Sequence, residues 1–208
     1  ATTDGEEAFW TAEPENLSRQ FALHVASRIT SREIAHLSVF ALAPIPLLIK
    51  LGALLGDITP SDVFQLHREP SGWSWARNGQ RLDFAVRRPD VLRPSVALKL
   101  SISGWISDDR ITRVLGEDVS IWSVEVDAPH NDAMRHPEDL AAFRQVIRRL
   151  YDDIKSAHGQ DATINVFPAL PVSCAVELGR VRMPKADLPL VVFDQAGEAG
   201  FVKRLDIR

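Results

Sequence analysis

Residues 39–52 read VFALAPIPLLIKLG, and residues 166–179 read VFPALPVSCAVELG. Val39, Phe40, Pro44, Leu51 and Gly52 reappear as Val166, Phe167, Pro171, Leu178 and Gly179, all at one offset of 127 positions. Leu48 and Ile49 match Ala175 and Val176 in kind. Such a repeat restricts the fold more than composition does, because each copy is a unit whose apolar face needs a neighbour to bury it. The unbroken spacing of Phe, Pro and Leu-Gly separates the pair from a chance likeness within an α/β chain.

The flanks repeat as well. Ahead of the first copy, residues 17–34 carry Leu17, Phe21, Leu23, Val25 and Ile29 in a helical pattern, with Asn16 as the expected N-cap. Ahead of the second, Leu140, Phe143, Val146, Ile147, Leu150 and Ile154 form an amphipathic stripe over 138–157, behind a first-turn proline, Pro137. Each copy then runs into a proline (Pro60, Pro184) and a short β-prone segment, 63–67 and 190–193. The order helix, strand, proline loop, helix, strand implies a largely parallel sheet with helices on its faces. Between the copies, Asn78-Gly79 is a hairpin signal flanked by Trp75 and Leu82–Phe84. Residues 95–103 and 119–126 read as strands around a short helix at 109–115. The expected fold is therefore α/β, two Rossmann-like halves related by pseudo-twofold symmetry, divided near 1–92 and 93–208.

At 208 residues and 45% hydrophobic, the chain can bury a sizeable core. Its formal net charge of −4 argues against a basic surface that grips duplex DNA, although a local basic pocket is compatible with it. Cys174 is the only cysteine, which leaves no intrachain disulfide or thiolate zinc site and suits a reducing, cytoplasmic home. The longest apolar stretch, 37–55, is interrupted by Pro44, Pro46, Lys50 and Gly52, short of the ~18 residues of a membrane span. No basic-then-apolar leader opens the chain. It begins Ala-Thr-Thr-Asp-Gly without an initiator Met, as expected of a segment cut from a longer protein.

In open parallel sheets, ligands bind beyond the carboxyl ends of strands. Both repeat loops belong there: Pro44, Ile45, Pro46 and Leu47 in one, Ala169, Leu170, Pro171, Val172 and Ser173 in the other. Each leads into a helix whose first N–H groups lack intrahelical partners and favour phosphate oxygens. Taken singly, the prolines are plain helix starts; their duplication across a pseudo-dyad suits a ligand with repeated phosphates. Trp73, Trp75 and Trp105 are candidates to stack on bases, Trp75 and Trp105 being the two expected to do so. Trp105 follows Ser101, Ile102, Ser103 and Gly104 at a strand end, where hydroxyls and bare backbone reach a ligand. Lys99 alternates onto the face of Ser101 and Ser103. Arg68 closes the run after the first copy, and Arg180 reads as a solvated charge on the second helix.

Catalytic motifs are lacking. The six histidines are scattered, with no HExxH, no zinc spacing, no GxSxG elbow and no Walker A loop. His130 and His136 flank Asn131-Asp132, weak grounds for a metal. Cys174 falls in a first helical turn, where the dipole lowers a thiol pKa, but a small buried residue is the simpler reading. Asp108-Asp109 and Asp152-Asp153 read as a helix start and a solvated helix face. The expectation is a chain with no catalytic residues, metal or cofactor.

FALAPIPLLIKLGALLGD, the segment Gln65-Leu66-His67-Arg68, Trp73-Ser74-Trp75, LSISG at 100–104 and NVFPALPVSCAVELGR with Met183-Pro184-Lys185 together resemble a SAVED domain, from about residue 17 to about 195. The resemblance implies two fused CARF-like halves around a pocket for a cyclic di- or trinucleotide made by a partner nucleotidyltransferase in anti-phage (CBASS) signalling. It also implies self-association on binding, which switches on a fused effector absent from this chain, often an HNH or other DNA endonuclease and sometimes a TIR or protease domain. Cleavage of the ring is not expected, since only Ser101, Ser103 and Lys99 offer groups for it. Two other functions remain open on the residues alone: an α/β enzyme acting on a phosphorylated small molecule, and a nucleotide-independent dimerisation module.

Overall fold

The computed structural model describes residues 5–57, 59–76 and 78–208. A continuous helical rod opens it: α1 (Glu7–Phe21), a π-helical turn (Ala22–Ala26) and α2 (Ser27–Thr30), with αR backbone at both junctions. The helix starts ten residues ahead of the expected boundary. Asn16 is not a cap but lies inside α1, its amide donating to Glu13. The earlier start has a packing cause, since Trp10 is buried and the Arg204 guanidinium lies 4.9 Å above its ring.

The first repeat copy forms β1 (Leu37–Val39), α3 (Ile45–Leu55) and β2 (Ser61–Val63). Beyond it, β3 (His67–Arg68) and β4 (Ser71–Gly72) make a small antiparallel hairpin. The expected strand over 63–67 is thus split, with Gln65 freed to turn inward. Among the described residues the expected hairpin at Asn78-Gly79 does not form. Instead the Ala76 N–H donates to the Arg135 carbonyl and Gly79 lies against the His136 ring, while Arg77 lies outside the described residues.

From β5 (Ala85–Arg87) onward the chain builds one six-stranded sheet. It comprises β6 (Ser95–Ser101), α4 (Asp108–Leu115), β7 (Val119–Glu125), α5 (Pro137–His158), β8 (Ile164–Ala169), α6 (Val172–Val181), β9 (Leu190–Gln195) and β10 (Phe201–Ile207). The order is β10-β9-β8-β6-β7-β5, with a parallel centre and antiparallel edges at β5 and β10. A strand enclosed on both faces reads as a continuous apolar run, and β6 is buried from Val96 to Ser101. One face packs on the main core with α3, α5 and α6 (Leu98, Val166, Ile147, Val176), and the other on a smaller cluster containing Ile106, Ile111, Phe167 and Phe193.

α3 and α6 meet backbone to backbone. A Cβ on Gly52 would fall 1.9 Å from the Val176 carbonyl oxygen, and one on Gly179 would fall 1.9 Å from that of Ile49. The next neighbours are Arg180 N and Ala53 N. Each of these contacts maps onto the other at the repeat offset, so the approach is reciprocal. Only glycine permits it, because any side chain would force the helices apart. We expect Gly52→Ala or Gly179→Ala to cost about 3 kcal/mol, at the upper end of overpacking penalties. The double variant should fall short of the sum, because the first substitution already separates the pair. Urea midpoints at unchanged m-value measure this, and additive losses would count against a shared contact.

Candidate functional site: a cleft between the repeat loops

The close approach of α3 and α6 brings both repeat loops to one cleft of about 390 Å³. Leu42 and Ile45 line it from the first loop, and Pro168, Ala169, Leu170, Pro171 and Val172 from the second. Gln65, Leu66 and Arg68 enter from the segment after β2, Ser103 from the end of β6, and Asn131 from the loop before α5. Of the expected ligand residues, the cleft therefore gathers Ile45, Arg68, Ser103 and Ala169 to Val172.

Both helices start on an extended proline, Pro44 (φ −52°, ψ 140°) and Pro171 (φ −59°, ψ 152°). The Pro44 carbonyl accepts from Leu47 N–H at 3.0 Å and the Pro171 carbonyl from Ala175 N–H at 3.0 Å. Pro46 and Leu47 are buried beneath the loop. At the second helix, the Ser173 N–H (3.1 Å) and hydroxyl (2.7 Å) both donate to Gln65 Oε1, and Ser173 is fully buried. The expected phosphate contacts at Leu47 and Ser173 are thus taken up within the protein. Ile45 and Val172 occupy the first helical positions, where an N–H has no carbonyl in its own helix. They are repeat partners, and both line the cleft.

Several other residues expected to touch ligand lie outside the cleft's lining and make contacts within the protein. Lys99 is buried and reaches Asp108 at 2.6 Å and Glu125 at 2.9 Å. Burial alone would pull its pKa down, but these two hydrogen bonds keep the ammonium above the usual lysine range. Ser101 is fully buried, and its hydroxyl oxygen accepts from Ile106 N–H at 3.3 Å, tying down the loop that carries Trp105. A Cβ on Gly104 would lie 4.0 Å from that of Ala169, an ordinary contact. Trp105 is 61% exposed, and Leu42 at the cleft is 71% exposed. Trp75 packs against the core and meets His67 edge-on at 5.9 Å, so it offers no open platform.

Arg68 is held by its backbone. Asp132 accepts from the N–H groups of Arg68 (2.9 Å) and Glu69 (3.1 Å), and Arg135 bonds both Asp132 and the Glu69 carbonyl. Burial would raise the Asp132 pKa, but the two amides and Arg135 hold it below the ordinary carboxylate range. One reading from sequence is corrected here. Arg180 is buried, with Glu177 at 2.7 Å and the carbonyls of Gly56 and Ser61 as acceptors. Cys174 is the small buried residue expected, and its burial pushes the thiol pKa up. Among the described residues no cluster of His, Cys, Asp and Glu is arranged to hold a metal ion. A larger cavity of about 470 Å³ beside α5 lies away from both loops, and its Arg144 and Arg148 are paired with Glu177 and Asp187.

Leu42, Gln65, Leu66, Asn131 and Pro168 join the cleft without having been singled out as ligand residues. Leu42 and Pro168 fall inside the repeat and were open to inspection. Nothing local marks Gln65, whose partner lies 108 positions away.

A family model described as "SMODS-associated and fused to various effectors sensor domain" (SAVED) matches residues 17–207. Among solved structures, the chain resembles the Acinetobacter baumannii Cap4 SAVED/CARF-domain containing receptor with 2'3'3'-cAAA at TM-score 0.66 and with 3'3'3'-cAAA at 0.67, both at 11% identity. Each match covers 97% of this chain and 44% of the other, so the chain spans under half the length of these receptors. The receptor described without a ligand gives TM-score 0.63 at 9% identity, covering 97% of this chain and 42% of that one. A comparison with curated proteins found no match. Among the described residues no helix is long and apolar enough to cross a membrane.

His67, between the cleft residues Leu66 and Arg68, is buried with neither ring nitrogen bonded to a described residue. Burial, and secondarily the Arg135 charge, lowers its pKa. The unfolded chain then binds the proton more tightly, so this contribution to stability is complete above pH ~6.5 and is lost as pH falls below it. His158 acts in the same direction. We expect His67→Phe to flatten the stability loss between about pH 6.5 and 5 in urea unfolding. An unchanged slope would exclude this role.

Proposed function

The chain belongs to the SAVED sensor-domain family, and we propose that it binds a cyclic di- or trinucleotide in the cleft between its two repeat loops. The observation that carries this reading is the pairing of Ile45 and Val172, first-turn positions related by the repeat, on the wall of one cleft. A ligand whose phosphates repeat meets two helix N-termini that repeat, each offering an amide and the positive end of a dipole. Arg68 adds a cation at the rim. Such a ring is larger than the cleft and extends over exposed Leu42 and Trp105, where bases find apolar surface. Two of the similar solved structures are described with the cyclic trinucleotides 2'3'3'-cAAA and 3'3'3'-cAAA, which makes these the first ligands to try.

In this reading the chain is two CARF-like halves, near 1–92 and 93–208, and serves as the sensing part of a longer cytoplasmic protein. Ring binding drives self-association and switches on a fused effector such as a DNA endonuclease. Only a ring that binds the assembled state more tightly than the separate chains can shift that equilibrium. The family's sensor role favours this over turnover of a small phosphorylated compound.

Calorimetric titration with cyclic di- and trinucleotides, 2'3'3'-cAAA and 3'3'3'-cAAA included, tests the proposal alongside light scattering. One ring should bind tightly, with a rise in mass. Arg68→Glu should weaken that binding about tenfold or more, equivalent to about 1.4 kcal/mol, without moving the urea midpoint. Absence of binding across the panel would overturn the reading.

A further inference from the structure

The two repeat copies sit in unequal surroundings. β8 pairs with β9 on one side and β6 on the other. β1 pairs with β2 alone among the described residues, so its opposite edge leaves backbone groups unpaired. Leu37 N–H and the Val39 carbonyl bond toward the β2 side. Alternation along the strand therefore points Ser38 N–H at the open edge.

The aromatic rings show the same asymmetry. Phe167 stacks on Phe193 (4.6 Å, 12°) with Phe201 edge-on at 5.1 Å and 86°. Its repeat partner Phe40 stacks on Phe64 (4.3 Å, 9°) with Trp73 edge-on at 5.4 Å and 88°. The second stack is buried in one cluster with Ile111 of α4, and the Arg110 guanidinium lies 4.5 Å above Phe201. Over the first stack Phe40 is 53% exposed. A third difference lies in the preceding helix. Residues Ala22–Thr30 bury nothing, and Leu23 is 60% exposed. Its repeat partner Leu150 is 1% exposed, in the core that holds Trp122 and Val124 of β7.

A single unit accounts for all three differences. Around the second copy, β6–α4–β7 supplies the pairing strand, the covering helix and the sheet face beneath α5, and it directly precedes α5 in the chain. We infer that the full-length protein carries a strand–helix–strand segment ahead of α1 that pairs in parallel with β1 and lays an amphipathic helix over Phe40, Phe64 and Trp73. The same polypeptide is the fitting source. A second copy would have to lend its own β6–α4–β7 to supply the same unit, and there β6 is already paired on both edges and α4 is seated on Phe167. This inference holds whatever the cleft binds.

Amide hydrogen exchange, read by NMR on the 208-residue chain and on the product translated from its natural initiator, tests it. Ser38 N–H should exchange at least a hundredfold more slowly in the longer protein. Phe40→Asp should lower the unfolding midpoint of the 208-residue chain less than Phe167→Asp does, but abolish Ser38 protection in the longer one. Phe167→Asp should destabilise both. Equal Ser38 exchange in the two proteins, or a natural product with nothing ahead of Ala1, would overturn the inference. So would protection in the short chain that rises with its concentration, which would assign the face to a second copy.

Discussion

The approach of α3 to α6 at Gly52 and Gly179 sets the position of everything that faces the cleft. With carbonyl oxygens where a Cβ would otherwise stand, the two helices lie closer than side chains permit, and their N-termini converge. Several distant contacts depend on that separation. Gln65 can span from the segment after β2 to Ser173, and Arg180 can reach the carbonyls of Gly56 and Ser61. Arg180 is buried because the neighbouring helix and its following loop close over it, and Glu177 and Arg144 then complete the charge.

Around this contact the polar groups divide into those that face the cleft and those paired within the protein. Lys99 with Asp108 and Glu125, Ser101 with Ile106, Ser173 with Gln65, and Asp132 with the Arg68–Glu69 backbone all belong to the second kind. Buried polar groups are tolerated where they are paired, and a paired network is rigid. The loops bearing Val172, Ser103 and Arg68 are therefore held in place by the protein's own contacts. A site held in this way loses less entropy on binding than one that must be ordered by its ligand.

Much of the fold was legible because its signals are local. The stripe from Leu140 to Ile154 behind Pro137 predicts α5 within a residue or two, and the runs at 95–103 and 119–126 became β6 and β7. The repeat located β1, α3, β8 and α6 together. Local signals also misled. Asn78-Gly79 carries hairpin chemistry, yet the Ala76–Arg135 bond and the packing of Gly79 on His136 commit that segment to α5. Asn16 is a good cap residue inside a helix that Trp10 extends toward the N-terminus. The edge strand β10 alternates only loosely, and its register shifts between Lys203 and Leu205.

What the sequence by itself determined is the α/β class, the paired strand–proline–helix units and the two loops that define the cleft. Periodicity, proline placement and the Leu-Gly repeat act over a few residues and can be read there. Only the tertiary structure decided which nominated side chains face the cleft. Lys99, Ser101 and Ser173 share their residue types with good ligand contacts, but each is claimed by a partner within the protein. Ser173 is claimed from 108 positions away, and Arg180 is buried by acceptors up to 124 positions away. A donor that already has its acceptor inside the core is a structural group, and no local pattern records where that acceptor comes from.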